Sequence, residues 1–103
     1  MQVQFDDHFL GEVAKKGYTG KLSFPVEVAT KFRQRIFQIK NALNTQDLRN
    51  NKSLHFEKLK EKKYEGKYSI RINKAYRIIF RVIDDESKKV EIICIEEISN
   101  HYS

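Results

Sequence analysis

Apolar residues recur at two different spacings along the chain, and the change of period divides it in half. Val26, Ala29, Phe32, Ile36, Ile39 and Leu43 follow one another at steps of three and four, the stripe of an amphipathic helix. Pro25 suits the first turn of that helix, where a missing N–H costs nothing. Phe37 widens the stripe, and Lys31, Arg35 and Gln38 take the opposite side. Ahead of it, Gln2–Phe5 alternates Val3 and Phe5 with glutamines and reads as a short edge strand. Asp6 or Asp7 then caps a short helix reaching about residue 16, with Phe9, Leu10 and Val13 inward. Gly17-Tyr18-Thr19-Gly20 breaks it, and the polar residues 44–53 read as a connection.

The second half has period two. Tyr68, Ile70 and Ile72 alternate with Lys67, Ser69 and Arg71; Tyr76, Ile78, Phe80 and Val82 alternate with Arg77, Ile79 and Arg81. Residues 90–95 form a third, more evenly apolar run, as a strand covered on both faces does, and Asp84-Asp85-Glu86-Ser87 supplies the turn before it. With Asn73-Lys74-Ala75 as a three-residue loop, Ile72 faces Tyr76, Arg71 faces Arg77, Ile70 faces Ile78, Tyr68 faces Phe80 and Lys67 faces Arg81. Opposite residues in an antiparallel pair share a face. Every apolar side chain then lands on one side, with Lys67, Arg71, Arg77 and Arg81 on the other. A shift of one residue sets Ile72 against Arg77, so burial selects the first register. The expected architecture is α+β, two N-terminal helices packed on a twisted antiparallel sheet.

Composition narrows the class. With 103 residues, 40% hydrophobic and 33% charged, the chain fits one domain, residues 1–103. No run approaches the ~20 apolar residues of a membrane helix, and the first residues lack a signal-peptide pattern. The single cysteine, Cys94, makes no internal disulfide, fits a core strand, and favours a reducing, cytoplasmic setting. Three scattered histidines give no metal-ligand spacing, so neither a metal nor another cofactor is expected. Charge changes the picture most. The chain is +6, yet residues 51–81 alone carry ten basic and three acidic side chains, while residues 82–103 are net −4. Such a basic segment is an electrostatic footprint for phosphates. Four cations on one sheet face also repel unless an anion or acidic partner sits there.

The run Glu57-Lys58-Leu59-Lys60, then Gly66-Lys67-Tyr68-Ser69-Ile70-Arg71-Ile72-Asn73-Lys74-Ala75-Tyr76-Arg77-Ile78-Ile79-Phe80, closed by His101-Tyr102, resembles the RelE/ParE superfamily of bacterial toxins, and most nearly its HigB and YoeB branches. The resemblance covers about residues 56–103; the first half matches only in element order. It implies two helices on a sheet, a cognate antitoxin as partner, and cleavage of messenger RNA in the ribosomal decoding site. By position, Glu57 takes the place of a YoeB-like glutamate general base, where the HigB branch has histidine. Lys60 matches the lysine after the leucine. Arg71 and Arg77 match the strand arginines, Arg77 being the one that stabilises the transition-state phosphate. His101 matches the general acid and Tyr102 its aromatic neighbour. The glycine often found after Lys60 is Glu61 here, the loop to Gly66 is a little longer, and Ser103 trails the usual end.

The chemistry is consistent with those roles. Metal-free RNA cleavage needs a base for the 2′-hydroxyl, an acid for the leaving 5′-oxygen and cations on the phosphate. Arginine's planar fork suits phosphate oxygens, and an imidazole titrating near neutrality suits the acid. Lys60, Lys62, Lys63, Lys67, Arg71 and Arg81 are the candidate phosphate contacts, and Tyr102 a candidate for stacking on an unpaired base. His55, two residues from Glu57, is an alternative acid or base if that segment is extended, and otherwise a surface histidine; His8 reads as a surface residue at a helix start. Two rival readings are a ParE-like inhibitor that binds DNA gyrase without catalysis, and a basic RNA-binding module.

Overall fold

The computed structural model describes residues 1–100. In chain order these form β1 (Gln2–Phe5), α1 (His8–Val13), α2 (Val26–Asn41), α3 (Thr45–Asn50), β2 (Glu57–Lys58), β3 (Tyr68–Arg71), β4 (Tyr76–Asp85) and β5 (Val90–Asn100). The helices lie with one face of a five-stranded sheet, ordered β1-β5-β4-β3-β2, so the α+β class follows the sequence pattern. The sheet is mixed rather than wholly antiparallel, because β1 joins β5 in parallel, Val3 against Ile93 and Phe5 against Ile95. Parallel pairing needs a long crossover; here everything between β1 and β5 provides it.

Of the two candidate caps, Asp7 holds α1, its carboxylate accepting from the Leu10 N–H at 3.0 Å. The Asp6 backbone N–H instead bonds the Ile95 carbonyl at 2.8 Å. On α2 the buried set is Val28, Ala29, Phe32, Arg35, Ile36 and Ile39. Three expected stripe members are therefore exposed. Val26 opens the helix and Leu43 lies past its end, where Ala42 is already extended. Phe37 sits about 100° around the helix from the buried Ile36. Arg35 is the converse correction: seven residues after Val28, it returns to the core side. Its burial is satisfied by hydrogen bonds, Nε to the Arg71 carbonyl at 2.9 Å and Nη1 to Gln38 Oε1 at 3.0 Å.

Residues 44–53, expected as a plain connection, contain α3. Asn44 caps it through Oδ1 to the Asp47 N–H, and Asp47 accepts in return from the Leu43 N–H at 2.8 Å. Glu91 on β5 takes the Thr45 N–H at 2.8 Å, fastening this short helix to the sheet. A tight 3₁₀ turn, Lys52–Leu54, follows and ends at His55 in the left-handed region, φ 48° and ψ 51°.

The expected hairpin register holds: Tyr68 pairs with Phe80, Ile70 with Ile78, and Arg71 with Arg77. The Ile72 N–H to Tyr76 carbonyl bond, 2.9 Å, closes the Asn73-Lys74-Ala75 loop. Ile70, Ile72, Ile78 and Phe80 join α2 in the core together with Ile93 and Ile95, and Cys94 is buried in β5. The reverse face carries a small second cluster of Leu59, Tyr64 and Ile79. Between Ile79 and Phe80 the β4–β5 register slips, Ile79 facing Glu97 and Phe80 facing Ile95, so Glu96 is the extra residue of a bulge.

Candidate active site

On the face turned away from α2, three strand ends meet. Glu57 on β2 pairs with Ser69 on β3, and Arg71, two residues on, pairs with Arg77 on β4. Alternation along the strands and cross-strand pairing put all four side chains on one side. With His55, Asn73, Lys74 and Tyr76 they line a cleft of about 70 Å³, open enough for a phosphate-sized group. The Asn73 Oδ1 accepts from the Ala75 and Tyr76 N–H groups, each at 2.9 Å, and so sets the rim of the hairpin.

Arg77 is the centre of this cleft, and only 9% exposed. Its Nη2 donates to a Glu61 carboxylate oxygen at 3.2 Å, while Nη1 lies 3.9 Å from Glu57. The Tyr64 ring lies 5.6 Å from its Cζ, a cation–π distance. Its Nε is buried without a hydrogen-bond partner among the described residues. Glu61's own backbone N–H, and then the Arg77 side chain, hold the Glu61 carboxyl below the usual carboxylate range. Among the described residues the Arg71 side chain forms no ion pair, so it offers an uncommitted guanidinium opposite Arg77; its backbone is anchored from behind by Arg35.

The other expected phosphate contacts divide. Lys60, Lys62 and Lys63 are exposed on the connection between β2 and β3, outside the cleft lining and without ion pairs among the described residues. Lys67 and Arg81 are committed elsewhere. Lys67 bonds Glu96, which raises the ammonium above its ordinary value, and Arg81 bridges Asp6 at 3.1 Å and Glu96 at 3.4 Å. The crowd of four like charges is therefore relieved from within the chain, because the bulge adds Glu96 to β5 beside them. His101 and Tyr102 lie outside the described residues. The last described pairs of β5 set Ser99 against Arg77 and Asn100 against Tyr76.

One group escaped the sequence reading, and another reached the cleft by an unexpected route. Glu61 was visible only as a departure from the glycine usual in the resembling toxins, with no sign of its reach to Arg77. His55 belongs to the cleft lining, although it gets there through a left-handed turn, a conformation histidine tolerates better than most residues, rather than on an extended strand. His8 is exposed at the start of α1, as expected.

No curated protein matches the chain significantly. A family model described as HigB-like toxin, the RelE-like toxin HigB of type II toxin–antitoxin systems, matches residues 3–93. That span includes Glu57, Glu61, Arg71 and Arg77 as well as the helices whose resemblance was one of order alone, and it stops short of His101. The chain belongs to the HigB-like family of RelE-like type II toxins.

Proposed function

We propose that this toxin cleaves messenger RNA on the ribosome, by attack of a ribose 2′-hydroxyl on the adjacent phosphodiester. The cleft that joins Glu57, Arg71 and Arg77 on one sheet face is the observation that carries the reading. Glu57 takes the 2′-hydroxyl proton, the 2′-oxygen bonds to phosphorus, and the P–O5′ bond breaks. Arg77 and Arg71 hold the non-bridging oxygens as charge builds on them, and His101 returns a proton to the departing 5′-oxygen. The products are a 2′,3′-cyclic phosphate and a 5′-hydroxyl end. Membership of a type II toxin family implies an antitoxin partner, and no helix among the described residues is long and apolar enough to cross a membrane.

The direct test supplies the purified protein to ribosomes programmed with a defined message and maps new 5′ ends. New 5′-hydroxyl ends within the ribosome-covered stretch are expected, and a 2′-deoxy sugar at the cut position should abolish them. Absence of ribosome-dependent cutting would refute the nuclease reading and leave a binding-only toxin.

The exposed lysines make a separate prediction. Each phosphate contact should cost about 0.7 log unit of RNA affinity per log unit of salt. Lys62→Gln and Lys63→Gln, outside the cleft, should each flatten that slope by about the same amount without changing where the message is cut. An affinity indifferent to salt would remove these lysines from the interface.

A further inference from the structure

Nothing in the cleavage chemistry calls for a carboxylate at Glu61, yet Glu61 is the group nearest the Arg77 guanidinium. It holds one donor, Nη2 at 3.2 Å, while Nη1 stands 3.9 Å from Glu57 and the buried Nε has no partner among the described residues. A guanidinium is built to grip an anion with two donors at once. Here it is held at a single point, with a buried donor unused. Glu61 precedes the Lys62–Tyr64 turn without capping it through its side chain, and that side chain is 47% exposed. Besides Arg77, only backbone groups of its own segment hold the carboxylate.

We propose that Glu61 is a removable stand-in for the RNA phosphate: in the free toxin it occupies Arg77, and an incoming phosphodiester displaces it. The exchange is favourable because one phosphate oxygen replaces the single Glu61 contact at Nη2 and a second takes Nη1, which in the free toxin has only Glu57 at 3.9 Å. Until then the carboxylate neutralises the best-buried cation of the cleft and keeps casual RNA off it. A substrate held by other contacts, as on the ribosome, meets that competition with a higher local concentration of phosphate. The inference deepens the nuclease reading and rests on it for the identity of the phosphate.

Affinity is measured for a short single strand with 2′-deoxy sugars, which cannot be cut by 2′-hydroxyl attack, using wild type, Glu61→Gln, Glu61→Ala, Arg77→Ala and the Glu61→Ala/Arg77→Ala double variant. Glu61→Ala should bind roughly two- to fivefold more tightly than wild type, the range expected for freeing one partly exposed ion pair. Glu61→Gln, which keeps a neutral acceptor, should fall between them. In the Arg77→Ala background the same change should gain nothing. An equal gain in both backgrounds would reduce Glu61 to general negative charge and overturn the proposal, as would no gain or a loss where Arg77 is intact. The probe is not cleaved, so the outcome is independent of the nuclease test. Ribosomal cutting without the Arg77-dependent gain defeats the stand-in alone, and the gain without cutting defeats the nuclease reading alone.

Discussion

Arg77→Ala should lower single-turnover cleavage on programmed ribosomes by about 10²–10³, the usual cost of one preorganised donor to a developing oxyanion. The fold should survive. The side chain points away from α2 and touches Glu61, Glu57 and Tyr64, while its backbone pairing with Arg71 and Ser99 is independent of side-chain identity. Both carboxylates it leaves behind reach water, so the thermal unfolding midpoint should remain near wild type. Arg77→Lys should restore little, because an ammonium lacks the planar fork. On the proposed mechanism, Glu57→Gln and His101→Gln should each lose one half of the proton work, typically worth 10²–10⁴-fold, with little change in ribosome binding. Their combination should fall far short of the product of the single losses, since acid and base act as a unit. If Arg77→Ala and His101→Gln both cut at the wild-type rate, the enzyme reading fails.

Phe80→Ala should be the most damaging change to stability, about 3–5 kcal/mol out of a total of about 5–15 for a domain of ordinary stability. Phe80 is fully buried at the middle of β4, with ring centroids 5.8 Å from Phe56 and 6.2 Å from Tyr68. This aromatic trio spans β4, β3 and the entry to β2. The cavity should therefore loosen Phe56, whose neighbour Glu57 lines the cleft, so cleavage should drop even where the variant is still folded. Phe37→Ala is the control: an exposed phenylalanine of α2, 67% accessible, it should cost under about 0.5 kcal/mol. Urea unfolding at unchanged slope separates the two. Equal losses would mean that the two faces of the sheet and of α2 have been assigned wrongly.

The sequence by itself determined the features in which neighbouring residues constrain one another. Period-two alternation on either side of Asn73-Lys74-Ala75 leaves only one register that sets Tyr68, Ile70, Ile72, Tyr76, Ile78 and Phe80 on one face, so the juxtaposition of Arg71 and Arg77 was legible in the sequence. The long helix, the class of the fold and the toxin resemblance followed from the same local order. Tertiary structure decided whatever depends on segments distant along the chain. Arg35 reads as a solvent-facing cation until the Arg71 carbonyl is beside it to accept its hydrogen bond. Alone, the six residues of α3 are too few to form a stable helix, and Glu91, 46 residues away from Thr45, helps to hold them. The parallel pairing of β1, the Glu96 bulge that occupies Lys67 and Arg81, and the reach of Glu61 to Arg77 have the same cause. Periodicity tells a residue which face it lies on, whereas the charge or carbonyl it meets there is set by which strands and loops the closed chain brings together.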